Sequence, residues 1–309
     1  MDLVSGAEVK LLVTGGCGFI GSHLVDALAK EKHEIHVLDN CSSDHHDHPY
    51  YLQSKYVIYH ANNIIDPGTK SLYQNVDAVF HLAAESRIPS CLDNPVKATI
   101  TNVLGTTMVL QYAREHKVRR VIYSSTSSCY GNNDAPQVES MPPDCLNPYS
   151  QTKQAGEGAC KLYTKLFGLE TVIFRYFNVY GPREPLRGPY APVVGKFLRQ
   201  FKDGHSLSIV APGTQRRDFV HVQDIVQANL LALTTTLSSE LYGQIYNIGS
   251  GVNYSVKELA EMISPTHELV PERPGEATET LANLDRTTAV FGFRPTIQLA
   301  DYIREQKGS

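Results

Sequence analysis

Val13-Thr14-Gly15-Gly16-Cys17-Gly18-Phe19-Ile20-Gly21 is the stretch on which the fold turns. It joins an apolar run, predicted as a strand over Val9–Val13, to a helix-period stretch over Phe19–Lys30. Its glycines at 15, 18 and 21 form GxxGxxG, and each has a task. Gly15 allows the tight turn, Gly18 lets the backbone approach a pyrophosphate, and Gly21 lets the helix pack closely on the strand. The helix start then offers free N–H groups and a positive dipole end to phosphates. Asp39 closes the next predicted strand, Glu34–Leu38. A carboxylate there accepts hydrogen bonds from both ribose hydroxyls and repels a 2′-phosphate, which predicts NAD rather than NADP.

Working outward, short β-branched runs alternate with helical periods. Strands are predicted at Tyr56–His60, Ala78–Leu82, Arg120–Ser124 and Thr171–Arg175, and helices at Val96–Glu115 and Pro148–Phe167, the latter opened by Asn147-Pro148. This alternation predicts an α/β fold with a doubly wound parallel sheet of Rossmann type. Asn63 and Asp66 stand where they could bond an adenine edge. His81-Leu82-Ala83-Ala84 ends a strand in small residues that leave room for a flat ring and ribose, and His81 itself reads as packing.

After Phe177 the pattern changes. Asn178–Pro192 reads as loop-rich, followed by a helix over Val193–Lys202, a strand over Leu207–Val210, a helix over Asp224–Leu233 and a strand over Gln244–Ile248. Ser255 with Glu258 three residues on makes a capping box. The expected organisation is a dinucleotide-binding domain over 1–177 plus 219–250, and a smaller substrate domain over 178–218 plus 251–309, with a cleft between them.

Composition narrows the classes of function. The 309 residues are 42% hydrophobic and 19% charged, with a net charge of −4. No basic field invites nucleic acid. No apolar run reaches the ~18 residues that span a bilayer, and the first residues lack a secretory leader layout. The six cysteines (17, 41, 91, 129, 145, 160) form no CxxC and read as reduced thiols of a cytoplasmic protein, Cys129 as a packing residue. Asp44-His45-His46-Asp47-His48 lacks a rigid element to set ligand geometry, so it reads as a solvated loop and no metal is expected.

Tyr149-Ser150-Gln151-Thr152-Lys153 places a tyrosine and a lysine at i and i+4, on one helix face. A free phenol titrates near 10 and is a poor base at neutral pH. A lysine ammonium and a positive nicotinamide ring favour its phenolate; a lowering of ~3 units corresponds to roughly 4 kcal/mol. Such a phenolate takes a hydroxyl proton while hydride leaves the same carbon. Tyr123-Ser124-Ser125-Thr126-Ser127-Ser128-Cys129-Tyr130-Gly131 closes a strand on the same side, and its hydroxyls can donate to an oxygen on which charge develops.

GxxGxxG, HLAA, SSTSSCYG, NPYSQTK, RYFNVYGP and RRDFVHVQDIV occur in this order. Together they resemble the extended short-chain dehydrogenase/reductase superfamily, in its nucleotide-sugar epimerase/dehydratase branch, over nearly the whole chain. The resemblance implies catalysis by Tyr149, Lys153 and Thr126. It implies an NAD shell of Gly15, Gly18, Phe19, Ile20, Gly21, Asp39, Asn40, Asn63, Ile64, Leu82, Ala83, Ala84, Asn102, Ser124, Tyr149, Lys153 and Tyr176. It also implies a nucleotide-sugar shell of Ser86, Thr126, Ser127, Ser128, Tyr149, Asn178, Arg217 and Arg273, the arginines gripping the diphosphate as charge-assisted forks. Which of the adjacent Arg216 and Arg217 points inward stays open.

Within the branch, 4,6-dehydratases carry Thr-Asp-Glu where this chain has Thr126-Ser127-Ser128, and UDP-glucuronate decarboxylases a glutamate at Ser128. Tyr176-Phe177-Asn178-Val179-Tyr180-Gly181-Pro182 and Gly188-Pro189-Tyr190-Ala191-Pro192 are most similar to UDP-hexose 4-epimerases. The expected activity is therefore NAD-dependent 4-epimerisation of a UDP-hexose or UDP-N-acetylhexosamine through a 4-keto sugar. The alternative is another enzyme of the branch: a dehydratase, decarboxylase or 4-ketosugar reductase. Thr280 stands where some of these epimerases carry a pocket-narrowing tyrosine, which leaves room for a 2-acetamido group. Val210-Ala211-Pro212-Gly213 departs from the branch's aromatic and Gly-Asp-Gly, which bears on how the base is held. The family also implies a homodimer through Val96–Glu115 and Pro148–Phe167, with Val103, Met108, Leu110, Leu162 and Leu166 available.

Overall fold

A computed structural model describes residues 9–42, 49–185, 191–272 and 275–308. The histidine loop 44–48, residues 188–190 and Arg273 lie outside the described residues. The strands are β1 (Lys10–Thr14), β2 (Glu34–Asp39), β3 (Val57–Ala61), β4 (Ala78–His81), β5 (Arg120–Thr126), β6 (Glu170–Tyr176), β7 (Asn178–Tyr180), β8 (Leu207–Val210), β9 (Arg216–His221), β10 (Gln244–Ile248), β11 (Asn253–Ser255) and β12 (His267–Val270). The helices are α1 (Phe19–Lys30), α2 (Ile88–Asp93), α3 (Pro95–Thr99), α4 (Gly105–Glu115), α5 (Pro148–Phe167), α6 (Val193–Lys202), α7 (Val222–Thr234), α8 (Val256–Ile263), α9 (Asp285–Phe291) and α10 (Leu299–Gly308).

Seven strands form one parallel sheet in the order β10-β6-β5-β4-β1-β2-β3. Side-chain alternation along each strand feeds a separate core on each face. Leu11, Val13, Ile35, Phe80, Ile122, Val172 and Phe174 pack with α1 and α7 on one face. Leu12, Leu38, Val79, Val121, Tyr123 and Ile173 pack with α4 and Cys160 of α5 on the other. Strand order reverses between β1 and β4, and a crevice opens at their carboxyl ends, the usual place for a ligand in such sheets. A third core joins Tyr180, Phe197, Leu207, Phe219, Leu259 and Tyr302, over the short sheets β11-β9-β7 and β12-β8.

Two expectations are corrected. The helix expected over Val96–Glu115 is broken into α3, a π turn over Ile100–Leu104, and α4. The extra residue of the π turn sets Asn102 inward, fully buried, and Gly105 lets the next turn press on Ile64, whose Cδ1 would lie 2.5 Å from any Cβ there. The stretch expected to be loop over Asn178–Pro192 opens with strand β7, which tertiary pairing with β9 in the register Asn178↔Phe219 creates.

Candidate functional site

The glycine turn sits where β1 meets α1. Gly15 has φ +74°, and a Cβ on it would lie 2.7 Å from the Ala83 nitrogen, so the turn can press on the end of β4 only as glycine. A Cβ at Gly21 would overlap the Gly15 carbonyl. Gly18 caps α1 without a side-chain acceptor, which leaves the first N–H groups of the helix directed at the cleft. Asp39 is fixed by two backbone donors: Cys17 N to Oδ2 at 2.9 Å and Cys41 N to Oδ1 at 2.8 Å. Each oxygen retains acceptor capacity for a hydroxyl.

A cleft of about 840 Å³ runs from this turn across the carboxyl ends of the strands. It is lined by Gly15, Gly18, Phe19, Ile20, Gly21, Asp39, Asn40, Asn63, Ile64, Leu82, Ala83, Ala84 and Ser86, and further along by Ser124, Thr126, Ser128, Tyr149, Lys153, Tyr176 and Asn178. A neighbouring cavity of about 240 Å³ shares Ser128, Asn178 and Glu276 and adds Ser127, Arg217 and Thr280.

Some predicted residues fall elsewhere. Asn102 does not line the cleft; its side chain accepts from Glu85 N at 2.8 Å and donates to Glu85 O and the Thr152 hydroxyl, tying the loop after β4 to α5. Asp66 is engaged as the cap of a short 3₁₀ helix and accepts from Gly68 N at 2.8 Å. His81 is buried between the hydroxyls of Thr14 and Thr106, and burial pushes it down to about 3, so it stays neutral. Of the adjacent arginines, Arg217 lines the smaller cavity and reaches Glu276 at 3.2 Å, while Arg216 turns outward to Asn253 and Glu258.

The tyrosine and lysine share the inner face of α5, which starts at the Asn147 cap two residues before Tyr149. Thr126, the last residue of β5, hydrogen-bonds the Tyr149 phenol. Lys153 is 2% exposed, with its Nζ 4.2 Å from the centroid of the Tyr123 ring. Burial pushes Lys153 down to about 8 and Tyr149 up to about 12, although the Thr126 hydrogen bond and Arg87 pull the phenol the other way. The expected depression of Tyr149 is thus not made by the chain's own groups, because desolvation outweighs them.

Sequence reasoning missed three participants. Arg87 is half-buried in the cleft wall, its charge acting on Tyr149 and Glu184; a lone arginine in an irregular stretch gives no pattern. Glu184 is 3% exposed, accepts from Gly181 N at 2.8 Å and Gly195 N at 3.2 Å, and is pushed by burial up to about 7. Behind Thr126, Ser125 donates to the buried Glu157–Arg175 pair, whose carboxylate and guanidinium meet at 2.7 Å.

A family model described as the NAD dependent epimerase/dehydratase family matches residues 11–249. A putative UDP-glucose 4-epimerase of Methanocaldococcus jannaschii is 34% identical, over 95% of this chain and 96% of that protein. A UDP-N-acetyl-alpha-D-glucosaminuronate decarboxylase of Bacillus cytotoxicus is 34% identical, over 82% of this chain and 79% of its own length. The solved UDP-N-acetylglucosamine 4-epimerase of Methanobrevibacter ruminantium, in complex with UDP-N-acetylmuramic acid, superposes with a TM-score of 0.88 at 30% identity, covering 97% of each chain. With the glycine cradle, the carboxylate at Asp39 and this kinship in agreement, the chain belongs to the NAD-dependent epimerase/dehydratase family and is an NAD-dependent nucleotide-sugar enzyme.

Proposed function

We propose that the chain is a 4-epimerase of a UDP-linked hexose or N-acetylhexosamine. The observation that carries this reading is the pairing of Thr126 with the Tyr149 phenol in a segment that continues as Ser127-Ser128. Elimination of water needs an acid for the leaving hydroxyl and a base for the neighbouring carbon. The carboxylates among the described cleft residues are Asp39, Glu85 and Glu276. Asp39 holds two amides at the glycine turn, Glu85 pairs with Lys97 at 2.7 Å, and Glu276 pairs with Arg217. A site in which hydroxyls surround the Tyr149 phenol and the Lys153 amine suits proton removal and return at a single carbon.

The roles follow from position. Gly15, Gly18 and Gly21 cradle the pyrophosphate of NAD, Asp39 and Asn40 hold the adenosine ribose, and Asn63 and Ile64 flank the adenine. NAD supplies the acceptor and donor of the hydride. Thr126 orients the sugar's C4 oxygen, Tyr149 takes its proton and later returns one, and Lys153 favours the phenolate. Arg217, with Asn178 beside it, faces the diphosphate in the smaller cavity.

Arg87 favours a second reading, since a guanidinium in the cleft wall whose charge reaches Tyr149 suits a sugar bearing a carboxylate. Incubation with UDP-glucose, UDP-N-acetylglucosamine and UDP-glucuronate, with products resolved by chromatography and mass, separates the cases. Equal-mass C4 epimers support the proposal. Loss of CO₂ or water, or no conversion of any of them, rejects it.

We also propose a homodimer. Val96, Ile100, Leu104, Leu162, Leu166 and Phe167 are exposed along α3, the π turn and α5. Leu110, expected there, is instead fully buried in the core, because it turns to the sheet side of α4. Sedimentation at twice the chain mass is the expected result.

A further inference from the structure

Two thiols outside this chemistry lie against each other between the segments that carry it. Cys129 sits in the 3₁₀ turn Ser127–Tyr130, directly after Thr126, and is fully buried. Cys145 is half-buried, two residues before the Asn147 cap of α5. The backbone zips the two segments together: Asp144 N donates to Cys129 O at 2.9 Å, and Asn132 N donates to the Asp144 carboxylate at 2.9 Å. The thiols lie against each other, and Cys129 Sγ donates to the Ser150 carbonyl at 3.6 Å.

We propose that Cys129 and Cys145 are a reversible dithiol–disulfide site, oxidised by low-molecular-weight disulfides, that controls the alignment of Thr126 with Tyr149. The thiols are unequal, as such a pair requires. The neighbouring Cys129 thiol draws Cys145 down to about 7, while Cys145 and burial push Cys129 up. Cys145 is the accessible thiolate and Cys129 the protected second thiol.

The exchange balances. The Cys145 thiolate attacks one sulfur of the small disulfide, forming a mixed disulfide and expelling one small thiolate. That thiolate takes the Cys129 proton, and Cys129 attacks the Cys145 sulfur, expelling the second small thiolate. Two protein thiols lose two electrons, and one small disulfide gains them as two thiol-state molecules. A covalent bond draws the sulfurs closer than two separate thiols can stand. Thr126 lies three residues before one sulfur and Tyr149 four after the other, so their hydrogen bond bears the shift.

The test uses the whole protein, first fully reduced, then incubated with oxidised glutathione, alkylated and peptide-mapped. The expected result is a Cys129–Cys145 linkage, a fall in kcat of about tenfold or more that dithiothreitol reverses, and unchanged NAD content. C145S, and C145A as a second variant, should keep basal kcat and not respond. Three results would overturn the proposal: Cys145 ending as a glutathione adduct with Cys129 free, a linkage that leaves kcat unchanged, or a C145S enzyme as sensitive as the wild type. Mapping needs no turnover, so this site can fail or stand apart from the substrate proposed above.

Discussion

Replacing Tyr123 by leucine should move the alkaline limb of the pH–rate profile down. The Lys153 ammonium lies 4.2 Å from the Tyr123 ring centroid, and the phenol donates to the Lys153 carbonyl at 3.3 Å. Burial has already pushed Lys153 down to about 8, and the ring's quadrupole works against that push. A desolvated cation–π contact is worth about 2 kcal/mol, which at 1.36 kcal/mol per unit is ~1.5 units. The active form needs the protonated amine, so a lower value for Lys153 loses activity at lower pH. A drop from about 8 by ~1.5 units cuts the charged fraction at pH ~7.5 by about eightfold and hardly alters it at pH ~5.5. The assay is kcat across this range at saturating nucleotide sugar, with thermal unfolding as a check on folding. Tyr123→Phe keeps the ring and should leave the limb in place. An unmoved limb in Tyr123→Leu, or an equal movement in Tyr123→Phe, refutes the assignment of the ring as a positioning group.

Gly21→Ala forces a Cβ against the Gly15 carbonyl, at a cost of about 1–3 kcal/mol, and should reduce NAD affinity by about tenfold in calorimetry while UDP affinity holds. Arg175→Met strands the Glu157 carboxylate in the core and should lower unfolding stability by about 3–5 kcal/mol in urea titration; the double variant Arg175→Met, Glu157→Leu should recover most of it. Thr280→Tyr fills the cavity beside Asn178 and should cut kcat/KM for an N-acetylhexosamine at least about tenfold more than for the plain hexose, as competition kinetics can show.

The half of the chain before Tyr176 was legible because its strands are covered on both faces. Such strands are short apolar runs, and Leu11–Val13, Val79–Phe80 and Val121–Tyr123 are that. The glycine turn was legible because Gly15 and Gly21 each meet backbone within a few ångströms, which no other residue tolerates. What stayed hidden depends on contacts distant in sequence. Asn178-Val179-Tyr180 has no strand signature until β9 is laid beside it, and Arg216–His221 none until β7 and β11 flank it. The π turn hides in a continuous helical period, since only the pull of Glu85 and Thr152 on Asn102 distinguishes it. Leu110 and Leu162 both satisfy a helical stripe, and which side meets the sheet is decided in three dimensions. Arg87 and the Cys129–Cys145 pair follow no spacing rule, because loops bring them to their partners.

Burial explains both why Tyr149 and Lys153 stand where they do and why neither suffices alone. It lowers the amine to about 8 and raises the phenol to about 12, since each loses solvation in its charged form. Proton transfer from phenol to amine is therefore uphill by roughly 4 units, or about 5 kcal/mol. The chain opposes this with the Thr126 hydrogen bond and the Arg87 charge on the phenol side, and with the Tyr123 ring under the amine. The low dielectric that makes the ion pair costly also enlarges the effect of each neighbouring charge and hydrogen bond. A site balanced in this way answers to small displacements. The segments that can supply them are the ones on either side of the thiol pair, where a shift of Thr126 against Tyr149 changes the term that most directly favours the phenolate.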